Sequence, residues 1–325
     1  MKRREIMGLL GGAVATRPLI ASAQQATVPV IGFLHSGAAE QNTKRLAAFR
    51  NGLGDAGFID GKNVAIEFRW AAGQSARLPE LAADLVSRQV AVIVTLSSTP
   101  AAMAAKAATS TIPIFFLIAD PPVELGLVAS FNRPGGNATG IATLAVELVP
   151  KRLELLHELA PRASTLAVLL NPTHPSAKQV SAILKATAAT LGLPSQIVEA
   201  STDREIEAAF SSLRPGAALL VATDPAFFIW RAHIAALAAR HAVPVIYPDA
   251  EYATASGLIA YGASVEGLWQ QAGTAVARIL KGAKPADLPV TQPTKFELVI
   301  NLKTAKTLGL EVSPKLLASA DDVID

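Results

Sequence analysis

The sequence predicts an α/β protein of two doubly wound parallel-sheet lobes, joined by a hinge that the chain crosses more than once. Short apolar runs alternate with longer helical patterns, which is typical of βαβ units and a parallel sheet. The pattern occurs twice, and each copy has a late strand opened by a proline, Pro113 in the first and Pro244 in the second. A strand, a helix and another strand follow the second copy and must return to both lobes.

The first predicted unit lies in residues 28–118. Runs of strand length alternate with helical patterns that place apolar residues on one face, as Leu46, Phe49 and Leu53 do. The predicted strands are 28–34, 64–70, 90–96 and 112–118, and the predicted helices are 43–56, 78–88 and 100–108.

The second predicted unit lies in residues 150–247, and Asp203 is the predicted N-cap of its third helix. Its strands are predicted at 165–170, 195–199, 217–222 and 243–247, and its helices at 150–159, 175–191, 203–213 and 227–241. The returning segment contains strands at 258–263 and 296–301 and a helix at 265–280. We therefore expect lobe 1 to comprise 28–142 plus 256–289, and lobe 2 to comprise 143–255 plus 290–325.

The composition excludes several classes of function. The 325 residues carry 29 Lys and Arg against 26 Asp and Glu, and no basic stretch contains interleaved aromatics, so we expect no nucleic-acid partner. Apolar residues make up 51% of the chain, which allows a large core and argues against disorder. Cysteine is absent, which removes disulfides, thiolate nucleophiles and cysteine-based zinc sites.

The N-terminus has the three-part layout of a secretory signal, predicted over residues 1–25. A basic start at 2–4 precedes an apolar stretch at 6–16, and Ala21-Ser22-Ala23 forms an A-x-A cleavage site. We expect a periplasmic mature protein that does not itself span the membrane. The Arg3-Arg4 pair fits twin-arginine export, and the general secretory route stays open as the alternative.

Polar residues follow the apolar strands at the edge where a parallel sheet binds its ligands. These candidates are His35, Ser36, Ser97, Ser98, Thr99, Asp120, Asn171, Asp224 and Tyr247, with Phe227 and Tyr261 as further aromatic walls. Phe227 has core packing as its alternative, and His35 has the alternative of a solvent-exposed loop histidine. The pattern predicts a ligand-binding cleft between the lobes.

Two charge-specific roles follow from these positions. Hydroxyl residues before Pro100 are typical of a capped helix, and the free N–H groups of such a turn attract an anion, so Ser98 and Thr99 are expected at a ligand carboxylate. Asp120 and Asp224 stand at equivalent strand ends of the two lobes and suit an ammonium group. Simple helix capping is the alternative for each of these residues.

Catalytic patterns are missing from the sequence. The five histidines show no pair at metal-ligand spacing, and no G-x-S-x-G elbow is present. The glycine pair in RPGGN at 133–137 lacks the spacing and the following helix of a dinucleotide fingerprint. We therefore expect no catalytic residue, no metal and no cofactor.

Several stretches resemble one known family. They are LAAFRNGL at 46–53, IEFRWA at 66–71, LPELA at 78–82, AATSTIPI at 107–114, GLVAS at 126–130, RPGGN at 133–137, KRLELL at 151–156, KGAKPADLPV at 281–290 and PTKFELVIN at 293–301. Together they make the chain similar to the ABC-transporter substrate-binding proteins of the periplasmic-binding-protein type 1 class, in the branch related to tryptophan- and tyrosine-binding proteins.

The resemblance implies a two-lobed capture protein that closes by a hinge and delivers a small molecule, such as an amino acid or an aromatic acid, to the membrane subunits of an ABC permease. The family's Gly-Asp-Pro-Val is replaced by Ala119-Asp120-Pro121-Pro122, where the extra proline stiffens that wall. An exported sensor module and a hydrolase on the same scaffold are the alternative functions. A repressor of this fold would need a DNA-binding helix pair where the signal pattern stands.

Overall fold

The computed structural model describes residues 28–325, so the predicted signal at 1–25 lies outside the described residues. The first sheet has five parallel strands in the order β2-β1-β3-β4-β5, a doubly wound arrangement. Its elements are β1 (Val30–His35), α1 (Thr43–Asp55), β2 (Ala65–Trp70), α2 (Leu78–Ser87), β3 (Val92–Leu96), α3 (Thr99–Ala108), β4 (Ile114–Ile118) and β5 (Ala138–Ala142).

The second sheet has seven strands in the order β12-β11-β10-β9-β8-β6-β7. It is parallel except where β10 meets β11. The remaining elements are α4 (Val149–Leu159), β6 (Thr165–Leu170), α5 (Ala177–Thr190), β7 (Ser195–Glu199), α6 (Asp203–Ser211), β8 (Ala217–Val221), α7 (Pro225–Ile229), α8 (Arg231–Arg240), β9 (Val245–Tyr247), α9 (Ala250–Thr254), β10 (Ile259–Ala263), α10 (Val265–Leu280), β11 (Phe296–Asn301), α11 (Leu302–Thr307), α12 (Pro314–Ala318) and β12 (Asp322–Ile324). The two parallel-sheet lobes expected from the sequence are therefore present.

The chain passes between the lobes three times: from β5 to α4, from β10 to α10, and from the segment after α10 to β11. The predicted lobe boundaries are wrong at the last two passages. The segment 259–263 was expected in lobe 1, but β10 pairs with β9 and β11 in the second sheet. Val290 and Thr291 were expected in lobe 2, but they bond to the lobe 1 residues Phe131 and Gly140. Below, lobe 1 means the first sheet with its helices and α10, and lobe 2 means the second sheet with its helices.

Three local predictions differ from the structure. Strand β5 was not predicted because its small residues give no apolar run; Gly140 is required there, since a Cβ would lie 2.0 Å from the Phe116 carbonyl oxygen. The single helix expected at 227–241 is divided into α7 and α8 at Trp230. Helix α6 is capped by Thr202 instead of Asp203, because Thr202 forms a capping box with Glu205.

Helices α1 and α10 of lobe 1 pack at very short distance through two buried glycines. A Cβ on Gly52 would lie 1.9 Å from the Gln270 carbonyl oxygen, and one on Gly273 would lie 2.2 Å from the Phe49 carbonyl oxygen. Only glycine allows two helix backbones to approach this closely. The crossing joins the helix that carries Arg45 to the helix that follows the second passage between the lobes.

Replacement of Gly52 by alanine tests this crossing. Gly52→Ala forces the two backbones apart, and we expect the free energy of unfolding of the protein to fall by about 3 kcal/mol. Gly54→Ala is the matched control in the same helix, because a Cβ added there would meet nothing within 4 Å and the site is exposed; alanine there should be neutral or stabilising by about 0.5–1 kcal/mol. Equal urea midpoints for the two variants would contradict the close crossing.

Candidate functional site: the cleft between the lobes

A cavity of about 80 Å³ lies between the lobes, at the carboxyl ends of the strands of both sheets. Lobe 1 contributes the polar residues His35, Arg45, Ser97, Thr99 and Thr143, and lobe 2 contributes Arg152, His174, Thr223, Asp224, Asp249 and Tyr252. An outer pocket of about 500 Å³ opens beside it, also between the lobes, and His174, Asp224 and Pro225 border both spaces.

His35 ends strand β1 and forms part of the lobe 1 wall. Its Nδ1 accepts a hydrogen bond from the backbone N–H of Gly37 at 2.7 Å, and its ring packs against Trp70 with centroids 5.0 Å apart. Burial, followed by the positive charge of Arg45, lowers the pKa of His35 to about 3. The imidazole is therefore neutral at physiological pH.

The turn between β3 and α3 places three hydroxyl residues differently. Ser98 caps α3, as predicted, and its Oγ also bonds to the Ser36 hydroxyl at 2.8 Å, so this group is occupied within lobe 1. Ser97 has a positive φ of 54°, and its Oγ accepts from the indole N–H of Trp269 at 2.9 Å. Ser97 and Thr99 line the cavity. Of the pair expected at a ligand carboxylate, Ser98 and Thr99, only Thr99 therefore lines the cavity.

Asp224 caps helix α7 and forms part of the lobe 2 wall. Its Oδ1 accepts from the Ala226 N–H at 2.6 Å and its Oδ2 from the side-chain amide of Asn171 at 3.1 Å. Burial raises the pKa of Asp224. Within the described part of the chain, no Lys or Arg nitrogen lies within 4.0 Å of it. Its hydrogen-bond donors among the described residues are neutral, and the positive charge of the nearby His174 opposes the effect of burial on the pKa of Asp224.

Arg152 is a buried cation beside the hinge that the sequence-based prediction missed. Its guanidinium donates to three carbonyl oxygens: Tyr261 at 2.7 Å, Ala145 at 3.2 Å and Pro248 at 3.3 Å. Burial lowers the pKa of Arg152 to about 10, which leaves the group charged at neutral pH. The sequence signal for its burial is the spacing on α4: Arg152 lies three residues before Leu155 and four before Leu156, on the same buried face.

Arg45 reaches from lobe 1 to three groups of lobe 2. Its Nε donates to Glu251 at 2.5 Å and its Nη2 to Asp249 at 3.2 Å, while the guanidinium carbon lies 3.7 Å from the centroid of the Phe228 ring. The side chain is only 4% exposed. Arg45 therefore holds the lobes together at one side of the cavity. Arg45 lies four residues before Phe49, on the buried face of α1, and this spacing in the sequence is the signal that the arginine is buried.

Three polar groups of cavity-lining residues have no hydrogen-bond partner among the described residues. They are Nε2 of His35, Oγ1 of Thr223 and the hydroxyl of Tyr252. An unsatisfied buried polar group costs about 1–3 kcal/mol, and native interiors contain few of them. The residues that carry these three groups all line the cavity.

The sequence matches the family described as ABC transporter substrate binding protein over residues 27–324, which is nearly the whole chain. The chain belongs to this family. It is 31% identical over 271 residues to a tyrosine-binding protein of Clostridioides difficile strain R20291, covering 82% of this chain and 77% of that protein.

Two solved structures are similar to this chain in sequence and fold. The L-Trp complex of an ABC domain from Streptococcus pneumoniae has 26% identity, covers 91% of this chain and 99% of its own, and gives a TM-score of 0.80. The ligand-free, open substrate-binding protein with adhesive properties from Clostridium difficile has 27% identity and covers 92% and 99%, with a TM-score of 0.64. At similar identity and coverage, the TM-score is therefore lower for the ligand-free, open form than for the L-Trp complex.

The predicted site residues fall into three groups. His35, Ser97, Thr99 and Asp224 line the cavity, and Ser36 and Asn171 line the outer pocket. The structure places the other five predicted contacts outside both spaces: Ser98, Asp120, Phe227, Tyr247 and Tyr261.

Packing explains these five corrections. Ser98 is fully buried as a helix cap, and Phe227 and Tyr247 are fully buried in the core of lobe 2, where Tyr247 stacks on Tyr252 at 5.0 Å. Tyr261 packs toward Phe296 and offers only its carbonyl oxygen to Arg152. The Asp120 carboxylate is 2% exposed inside lobe 1 and has no partner among the described residues.

Two further observations concern residues 28–325. No three His, Asp or Glu side chains in this range come together in a way that could hold a metal ion. None of the helices in the same range is both long enough and apolar enough to cross a membrane.

Removal of the Arg45 contacts should favour separation of the lobes. In Arg45→Ala two interlobe ion pairs and the contact with Phe228 are lost, and we expect closure to weaken by about 2 kcal/mol, roughly a thirtyfold change in the closed-to-open ratio. Interlobe distances from paired spin or fluorescent labels measure this shift. Arg231→Ala is the matched control, because Arg231 stacks on the same Phe228 ring at 4.3 Å from within lobe 2. Identical distance distributions for wild type and Arg45→Ala would contradict the assignment.

Proposed function

We propose that this chain is the solute-binding component of an ABC importer and captures a small zwitterionic carboxylate, such as an amino acid, in the cavity between its lobes. The single observation that carries the proposal is the set of incompletely bonded polar groups on residues that line that cavity. It contains a buried carboxylate without a cationic partner, Asp224, and three hydrogen-bonding groups without any partner among the described residues. A ligand with both an ammonium and a carboxylate supplies what these groups lack.

The two walls of the cavity differ in charge. Its carboxylates, Asp224 and Asp249, both belong to lobe 2, and the second of these is already bonded to Arg45. The lobe 1 wall carries Arg45 and, among the described residues, contains no acid. A zwitterion therefore fits with its ammonium toward Asp224 and its carboxylate toward the hydroxyls of Ser97 and Thr99 on lobe 1.

The size of the cavity implies movement of the lobes. At about 80 Å³ it is smaller than the ~300–1,000 Å³ of ordinary small-molecule sites, so the lobes must stand further apart than in this structure when a ligand is bound. Three chain passages form the hinge on which such motion turns. The names of the tyrosine-binding relative and of the L-Trp complex favour aromatic amino acids as the first ligands to test. The family match supports delivery to the membrane subunits of a permease.

Substitution of Asp224 tests the ammonium contact. Asp224→Asn keeps the size of the side chain and removes the charge, and we expect the affinity for L-tyrosine or L-tryptophan to fall at least tenfold. A saturating ligand, at about a hundredfold excess over Kd, should raise the stability of the wild type by about 2.7 kcal/mol, which a thermal-shift assay detects. Asp120→Asn is the control, since this buried carboxylate does not line the cavity. Unchanged affinity in Asp224→Asn would show that Asp224 does not bind the ammonium group of the ligand.

We also propose that the protein acts in the periplasm after removal of its signal. The supporting observation is the basic start, apolar stretch and A-x-A site of residues 1–25. Mass spectrometry of the exported protein should find a mature chain that begins at Gln24. Joint Arg3→Lys and Arg4→Lys substitution should stop export if the route is twin-arginine dependent. An intact chain that stays in the cytoplasm would contradict this localisation.

A further inference from the structure

We propose that His35 is a specificity-determining residue: it presents a fixed, neutral Nε2–H to the ligand and so requires a hydrogen-bond acceptor at that point. The inference rests on the proposed function and deepens it, because it concerns which ligand atom the lobe 1 wall accepts. An ammonium or another donor placed there would leave two N–H groups facing each other.

The hydrogen bond at Nδ1 decides the tautomer. The donor in this bond is the backbone N–H of Gly37, at 2.7 Å, so Nδ1 must carry the lone pair. In a neutral ring the proton then resides on Nε2. That atom is buried and has no hydrogen-bond partner among the described residues.

The packing around His35 prevents the ring from turning over. Its ring lies 5.0 Å from Trp70 and 6.4 Å from Trp269, and it stacks on Phe33 at 6.3 Å. Gly37 closes the remaining side, where even a Cβ would lie 2.8 Å from Cε1 of the imidazole. The Nε2–H direction is therefore set before the ligand arrives, which is the preorganisation that selective binding requires.

The surroundings also keep the imidazole neutral. Burial is the main cause and the positive charge of Arg45 adds to it; the Leu96 carbonyl favours the protonated ring but has the smallest effect. The cavity carboxylates Asp224 and Asp249 belong to the opposite wall. A neutral donor of this kind discriminates between ligands. A ligand that lacks the acceptor leaves the buried N–H without a hydrogen-bond partner, and the free energy of binding becomes less favourable.

Two substitutions separate the roles of the two ring nitrogens. Gln places an amide N–H near the position of Nε2 and leaves Gly37 without an acceptor. Asn places an amide oxygen near Nδ1 and removes the donor at Nε2. With L-tyrosine and L-tryptophan as probes in titration calorimetry, we expect His35→Gln to bind within about threefold of wild type and His35→Asn to bind at least tenfold more weakly.

The opposite result would overturn the proposal. If His35→Asn binds like wild type, the ligand does not accept the Nε2 proton of His35. Equal losses in both variants would assign the contribution to ring packing. If the wild type binds neither probe, the ligand class of the proposed function is rejected. The tautomer of His35 then tests the present inference in the absence of a ligand. Nitrogen-15 NMR of the protein should find Nε2 of His35 protonated and Nδ1 unprotonated from pH 5 to 8; a titrating ring or the other tautomer overturns it.

Discussion

Charged groups that leave water when the two lobes close must find partners, because an unpaired buried ion costs several kcal/mol. Arg152 meets this constraint with three carbonyl oxygens, and Arg45 meets it with two carboxylates and an aromatic ring of the opposite lobe. Asp224 has only neutral donors among the described residues. In the proposed function, the incomplete pairing of Asp224 makes it the partner of the ligand's ammonium group.

The same contacts would keep each lobe together as one body in the proposed hinge motion. The carbonyl partners of Arg152 lie beside the first passage, at Ala145, and at the strand ends of lobe 2, so this arginine stiffens the lobe 2 side of the hinge. On the other side, α10 follows the second passage and is joined to α1 by the Gly52–Gly273 crossing. Movement at the hinge therefore carries Arg45 with the lobe 1 body. Ligand capture and interlobe contact share one equilibrium, which a ligand shifts by its preference for the closed form.

The two walls of the cavity contribute different chemistry to that equilibrium. Lobe 1 offers a neutral imidazole N–H, two hydroxyls and a cation, whereas lobe 2 holds both cavity acids. Neither wall alone can satisfy a zwitterion. A ligand that bonds to both walls is bound more tightly in the closed form than in the open form, and in the proposed function this difference links ligand selectivity to closure of the hinge.

The sequence by itself determined the two-lobed α/β architecture, because strand and helix periods are local. It also placed His35, Ser97, Thr99 and Asp224 at the strand ends that line the cavity between the lobes, because the carboxyl ends of parallel strands meet at one edge of a sheet. It could not locate Arg45 and Arg152, whose charges are solvated in any isolated helix and become site residues only when another element buries them. It also misplaced Phe227 and Tyr247, since the face of an element that meets the core depends on neighbours distant in the chain. The membership of β10 in the second sheet was likewise decided by strand pairing, which no local pattern records.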